Sequence, residues 1–434
     1  MAGYFARWRS LPRAAWLYLA HAALLTGSLA IITLLYNLAV LAFGYERSFL
    51  GILNILGVAV AALLSLPIWW LAGRVGLRRA LLASAALQAV GALAIALWPA
   101  AALLIAAAAA TGVTAILFQV TAAPFMMRQS DDTTRDHLFS ANAAVNVGVA
   151  GLGSLLGGQL PALCGGLLGV GAESADAYRA SLAVAGCGLL LSLMPLLLIR
   201  EPIEAEVRPQ RGAAWPVGGE EPGGLWRRLR AGLAAAPEPW RGMLRRPWPI
   251  VQLLIPPALI SWGAALLVPY LNLFFKERFA VSDGELGAIF AALGLATGAS
   301  ALAAPLFSAR FGKPWTIAIS QALSIPLLLL VGLVPILGVA VAAAIGRGAL
   351  FNLGVPLYDA LAMERSDEAA RPTVIGLVNA AYASGYLVAP AISVAVQERW
   401  GFTPLFFVTA ACYTLAVAAT ALFFGRSFRE VPTA

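Results

Sequence analysis

The chain has 434 residues, of which 61% are hydrophobic and 12% charged, and a formal net charge of +8. Its mean hydropathy is +0.83. A soluble domain carries about 25% charged residues to solvate its surface, so this composition excludes a soluble fold and makes lipid the solvent for most of the chain. Three scattered cysteines, Cys164, Cys187 and Cys412, exclude a disulfide framework and a thiolate metal site. No cofactor is expected.

A span needs about 20 apolar residues. In chain order, spans are predicted over 14–41, 49–72, 79–98, 101–127, 137–160 and 179–199, then over 249–275, 284–307, 314–333, 336–361, 372–396 and 403–424. The first run is too long for a signal-peptide core and reads as a retained span. Pro67, Pro124, Pro256, Pro257 and Pro356 fall inside spans as local breaks, tolerable where neighbouring helices satisfy the freed carbonyls. The chain thus reads as an all-α polytopic membrane protein with two six-helix bundles, 1–200 and 249–434, joined by a polar linker, 201–248. Within the linker, Leu225-Trp226-Arg227-Arg228-Leu229-Arg230 suits either a short helix on anionic headgroups or a basic tether.

Basic residues set the orientation. Of the 29 Lys and Arg, 23 lie in the tails and loops on the side of the N-terminus and five in the opposite loops. Both termini are therefore expected in the cytoplasm, with the protein in the inner membrane among its lipids. The pI of 9.7 then reflects membrane orientation, with no nucleic-acid partner expected.

The two halves repeat. Asn37 is followed by Gly51, Arg74 and Gly76; Asn272 is followed by Gly287, Arg310 and Gly312, with the same steps from glycine to arginine to glycine. Ser130–Arg135 matches Ser366–Arg371, each ahead of an asparagine, Asn142 or Asn379. Six-span halves repeated in this way imply parallel repeats about an axis along the membrane normal.

On these features the chain resembles the major facilitator superfamily. Leu71-Ala72-Gly73-Arg74-Val75-Gly76-Leu77-Arg78-Arg79 is similar to that family's signature loop between the second and third helices, and Ser308–Lys313 is a weaker second copy. The resemblance implies a twelve-helix secondary transporter, a monomer, moving a small-molecule substrate by alternating access, with or without a coupling ion. It also implies a gating role for Arg74, Gly76, Arg78, Arg310 and Gly312; the alternative is that the arginines only anchor a loop at the headgroups. The family aspartate is missing, since Gly73 and Ala309 stand in its place. Asp359 is the candidate to pair with Arg310 instead.

Ionisable groups deep in a membrane are costly and mark function. Arg347 lies ten residues into the tenth span, about 15 Å deep. Its fork suits the acidic group of an organic anion, or alternatively backbone carbonyls at a helix break near Gly346, Gly348 and Gly354. Asn352 and Asp359 share a helix face that Arg347 does not, so one site using all three requires unwinding. Gln119, Asn142, Asn146, Asn379, Tyr382, Tyr36, Asn37 and Asn272 complete the polar set, either as a binding site or as interhelical glue. Small-xxx-small pairs at Gly153/Gly157 and Gly294/Gly298 are expected at the interface between halves, where the resembled fold brings the fifth and eighth helices together.

His21 is the one histidine within a span, and packing suits it. No carboxylate lies near mid-depth in any span, which leaves proton coupling open. Catalysis is not expected, since no HExxH, GxSxG or phosphate-loop pattern occurs. The absence of polar rings argues against a channel, and a receptor or scaffold would carry an additional soluble domain. Within transport, an organic-anion carrier centred on Arg347 competes with an exporter of amphiphilic or drug-like compounds, favoured by the apolar lining.

Overall fold

The computed structural model describes residues 11–130, 134–199, 248–366 and 371–425. Residues 201–247 of the linker, with the basic segment 225–230, half of Ser130–Arg135 and most of Ser366–Arg371 lie outside the described residues. Twelve helices among the described residues are long and apolar enough to span a membrane. They are α1 (Arg13–Ala42), α2 (Arg47–Val75), α3 (Leu77–Leu97), α4 (Ala101–Arg128), α5 (Arg135–Leu168), α6 (Ala175–Leu198), α7 (Trp248–Phe279), α8 (Asp283–Phe311), α9 (Lys313–Leu333), α10 (Leu337–Glu364), α11 (Arg371–Trp400) and α12 (Thr403–Phe424).

Prolines break these helices less than the sequence suggests. Pro67, Pro124, Pro256 and Pro257 all lie inside continuous helix. Pro257 removes the donor that would bond the Leu253 carbonyl, and the Tyr358 hydroxyl donates to that carbonyl at 2.8 Å instead. Interruptions occur at three other points: a 3₁₀ turn at Val268–Tyr270 in α7, Gly354 in α10, and Leu387–Val388 in α11. Only the second adjoins a predicted break, Pro356.

Helices α1 to α6 form one bundle and α7 to α12 the other. In the first, α3 and α6 run antiparallel and close each other's ends. Arg78, at the start of α3, donates from Nε and Nη2 to the Leu196 and Leu197 carbonyls at the end of α6. Arg179, at the start of α6, donates in the same way to Ala96 and Leu97 at the end of α3. Each arginine satisfies carbonyls that a helix end leaves orphaned. Gly76 (φ 92°) and Gly312 (φ 75°) turn the chain between α2 and α3 and between α8 and α9, in conformations that only glycine adopts without strain.

The bundles meet where α5 packs on α8 and α2 on α11. The expected glycine contact is corrected. Gly153 and Gly157 face Gly27 and Ile31 of α1, inside their own half, because that helix is the one that approaches closely enough to need them. Across the halves, Gly158 lies against Gly287 and the Asp283 carbonyl, and Gly298 against Val147, whereas Gly294 faces open space.

The apolar core has a different form at the two ends of the molecule. At the end opposite the first residues of α1 it is continuous, joining Leu34, Leu38, Leu50 and Tyr178 to Leu267, Tyr270, Phe275 and Leu286. At the other end it is divided, with one cluster of Leu11, Tyr18, Leu81, Phe125 and Leu196 and another of Leu253, Ile317, Tyr358 and Phe424. The second end, where α1 begins and α12 finishes, is called the termini face below, and the first the loop face.

The crossing of α5 and α8 yields a paired expectation. Gly158→Leu drives a side chain into backbone, so the melting temperature of the purified protein should fall, by about 1–3 kcal/mol of stability. Gly294→Leu, where nothing lies within 4 Å of an added Cβ, should leave it unchanged.

Candidate functional site

The loop face is closed by polar groups from both halves. Asn37 of α1 donates to the Pro269 carbonyl at 2.5 Å and to Asn272 Oδ1 at 3.1 Å. Asn272 in turn donates to the Leu34 carbonyl at 2.9 Å. The two asparagines are 5% and 4% exposed, so each buried amide depends on the opposite half for its partner. Beside them, Lys276 pairs with Asp283 and, at 2.9 Å, with Glu173 of the other half. Tyr178 donates to Asp283 Oδ2 at 2.9 Å across the same divide. Arg47 pairs with Glu277, joining α2 to α7. Asp283 is 6% exposed and is the one buried carboxylate among the described residues.

Deeper in the molecule, α10 carries Arg347 half-buried. Its Nη2 donates to the Tyr413 hydroxyl of α12 at 2.8 Å, and its Cζ lies 5.4 Å and 5.7 Å from the ring centroids of Phe351 and Tyr413. Both faces of the cation–π interaction come from residues that also stack on each other, centroids 5.0 Å apart. Arg347 Nε is buried without a partner. The guanidinium therefore does not cap carbonyls, the alternative read from the neighbouring glycines. Gly263 of α7 lets the chain approach Tyr413 and Cys412 closely, and Thr409 donates to the Gly263 carbonyl at 2.9 Å.

The other polar positions divide by environment. Asn146 accepts from Thr26 at 2.8 Å, joining α5 to α1. Asn352 donates to its own helix at Gly348, 2.9 Å away, so even with α10 interrupted at Gly354, Arg347, Asn352 and Asp359 form no single site. The Tyr36 hydroxyl and Asn142 Oδ1 are buried without protein partners. Gln119, Asn379 and Tyr382 are exposed within the bundle's span, and Tyr382 lies 5.8 Å from Tyr386. His21 is fully buried and bonds the Ser192 carbonyl at 2.8 Å, as packing requires.

At the termini face the arrangement is looser. Arg78 is engaged as the cap of α6 within its own half. Arg74 is exposed. Arg310 lies over Phe311 at 5.6 Å, and the exposed Asp359 is not its partner in this state.

The family model described as the Major Facilitator Superfamily matches residues 17–265 and 257–434. The chain belongs to this superfamily. Solved structures agree with the fold. A bacterial homologue of the human lysosomal transporter Spinster, inward-facing and occupied, matches with a TM-score of 0.69 at 16% identity, covering 97% of each chain. A mutant of the nucleoside transporter NupG matches with a TM-score of 0.69 at 13% identity, over 94% of this chain and 100% of that one. A D-xylose–proton symporter matches with a TM-score of 0.67 at 16% identity, over 95% and 97%. No curated protein matches in sequence. As a major facilitator protein the chain is a secondary transporter rather than an enzyme, working by alternating access on a small-molecule substrate.

Sequence reasoning missed Tyr413 and the Tyr178–Asp283–Lys276 group. Asp283 reads as a helix-start acid in the capping box of Ser282 and Glu285, and its partner Tyr178 is 105 residues away. Tyr413 did carry a signal, since it lies ten residues into α12, the same depth as Arg347 in α10.

The seal is testable. Asp283→Asn weakens the grip of Lys276 and Tyr178 on the loop face, so the closed state should lose population. In a background with the three cysteines replaced by serine, Tyr36→Cys should react severalfold faster with a membrane-impermeant maleimide when Asp283→Asn is added. An unchanged labelling rate would remove Asp283 from the seal.

Proposed function

We propose that this transporter carries a small organic anion across the inner membrane, with Arg347 binding the acidic group. The observation that carries the reading is the electrostatic isolation of Arg347. Among the described residues its partners are one neutral hydroxyl and two ring faces, and it makes no ion pair. Each cation–π contact is worth about 0.5–2 kcal/mol, comparable with the roughly 2.5–3.5 kcal/mol that insertion scales assign to a mid-span arginine. These contacts hold the guanidinium in place yet neutralise none of its charge. A substrate acid does so when the site closes, using the fork geometry and the unpartnered Nε.

The residues 1–200 and 249–434 act as the rocking halves, with 201–248 as a cytoplasmic linker. Placing both termini in the cytoplasm, as the basic residues favour, makes the sealed loop face the outer one and this state inward-facing. The Tyr36 hydroxyl and Asn142 then serve the substrate or its water, together with Gln119, Asn379 and Tyr382. When the termini face closes, Arg310 meets Asp359 and takes over from the missing loop aspartate.

Two measurements test these assignments. In proteoliposomes, Arg347→Ala should abolish anion transport while leaving the melting temperature within a few degrees; Arg347→Lys should retain the charge but lose at least tenfold in affinity, because the fork is lost. Full transport by Arg347→Ala would replace the anion reading with that of an amphiphile exporter. For the gate, Arg310→Asp and Asp359→Arg should each slow transport, and together restore most of it.

A further inference from the structure

Arg347 is one corner of an aromatic group assembled from three helices. Phe351, one turn along α10, and Tyr413 of α12 stack with ring planes 20° apart, and the guanidinium lies over both. From α11, Tyr386 packs against the apolar core that contains Phe351 and Tyr413, and Tyr382 lies 5.8 Å from Tyr386, centroid to centroid. Burial grades across the group. Tyr413 is 1% exposed and Phe351 7%, whereas Tyr382 is 40% exposed. The rings that hold the guanidinium are thus packed away, and a further ring is left open beside them.

The charges impose a second restriction. Lys276 is already matched by Asp283 and Glu173 at the loop face, and Arg347 is the one Lys or Arg outside the span ends and loops. One fixed positive charge compensates one negative charge; a second, enclosed in a site of low dielectric, finds no partner. The open Tyr382 ring offers a face or edge to an aromatic body, a contact that an aliphatic body of the same size gains less from.

We propose, resting on the anion reading above, that the site selects anions with a single negative charge carried on an aromatic body. Arg347 binds the acidic group and rejects dianions for want of a second cation. Tyr382 stacks on the ring system and sets the preference for aromatic over saturated ligands. Tyr413 touches no ligand in this arrangement; it is a positioning residue that fixes the guanidinium.

The test uses the full-length protein in detergent and four probes: 2-naphthoate, 2-naphthalenesulfonate, 2,6-naphthalenedicarboxylate and decahydro-2-naphthoate. Dissociation constants come from the rise in melting temperature with probe concentration. The two naphthalene monoanions should bind, the dicarboxylate at least tenfold more weakly and the saturated acid at least threefold more weakly. Tyr382→Leu should abolish the preference for naphthoate over its saturated analogue while still binding both. If the dicarboxylate binds as tightly as naphthoate, or Tyr382→Leu keeps the aromatic preference, and Arg347→Ala still abolishes binding, the selectivity proposal fails and the anion reading stands. If no probe stabilises the wild-type protein, the selectivity proposal fails and the anion reading rests on its transport test; if Arg347→Ala binds the monoanions undiminished, both fail.

Discussion

The hydrogen bonds that Asn37 and Asn272 each send into the opposite half are the contact on which this conformation depends. Each asparagine lies on the first helix of its half, and each sends its amide to a carbonyl of the other. In a dry interior neither group can be left unpaired without a cost of about 1–3 kcal/mol. The halves can therefore separate at the loop face only if water or another partner reaches both amides. The continuous apolar core and the Tyr178–Asp283–Lys276 group close the same face, and all must yield together. Contacts that give way as a set suit a switch between discrete states, the behaviour that alternating access requires.

Arg347 presents a different balance. A charge at mid-depth survives in this fold because rings and a hydroxyl hold it without neutralising it. The same arrangement that makes the residue tolerable leaves its charge available. A carboxylate in the place of Tyr413 would stabilise the empty carrier and compete with any anionic ligand, so a neutral partner suits a binding role.

Much of the architecture was legible in the sequence, because lipid leaves so few structural options. Twelve apolar runs have to be helices, and the repeat from Asn37 to Gly76 and Asn272 to Gly312 requires two equivalent halves. What the repeat could not supply was contact. It makes Asn37 and Asn272 equivalent, but equivalence under a pseudo-twofold axis brings two residues together only if they lie close to that axis. Glycine spacing was misleading for a related reason. A small-xxx-small pattern reports close approach by some helix without saying which, and for Gly153 and Gly157 that helix is α1. The prolines erred in the other direction: Tyr358 bonds the carbonyl freed by Pro257, and no linear pattern links residues a hundred positions apart.

The reciprocal arginine caps of α3 and α6 have a mechanical consequence. They clamp one pair of helices at both ends, and in that half no spanning helix is interrupted among the described residues. All three interruptions, in α7, α10 and α11, fall in the other half. The two bundles share a plan but not the same continuity of helix. The first has its α3–α6 pair closed at both ends, and the second, which carries Arg347 and its rings, contains every break in a spanning helix among the described residues. Bending at Gly354 or at Leu387–Val388 can thus reshape the wall around a cargo without disturbing the bearing surface on which the halves turn.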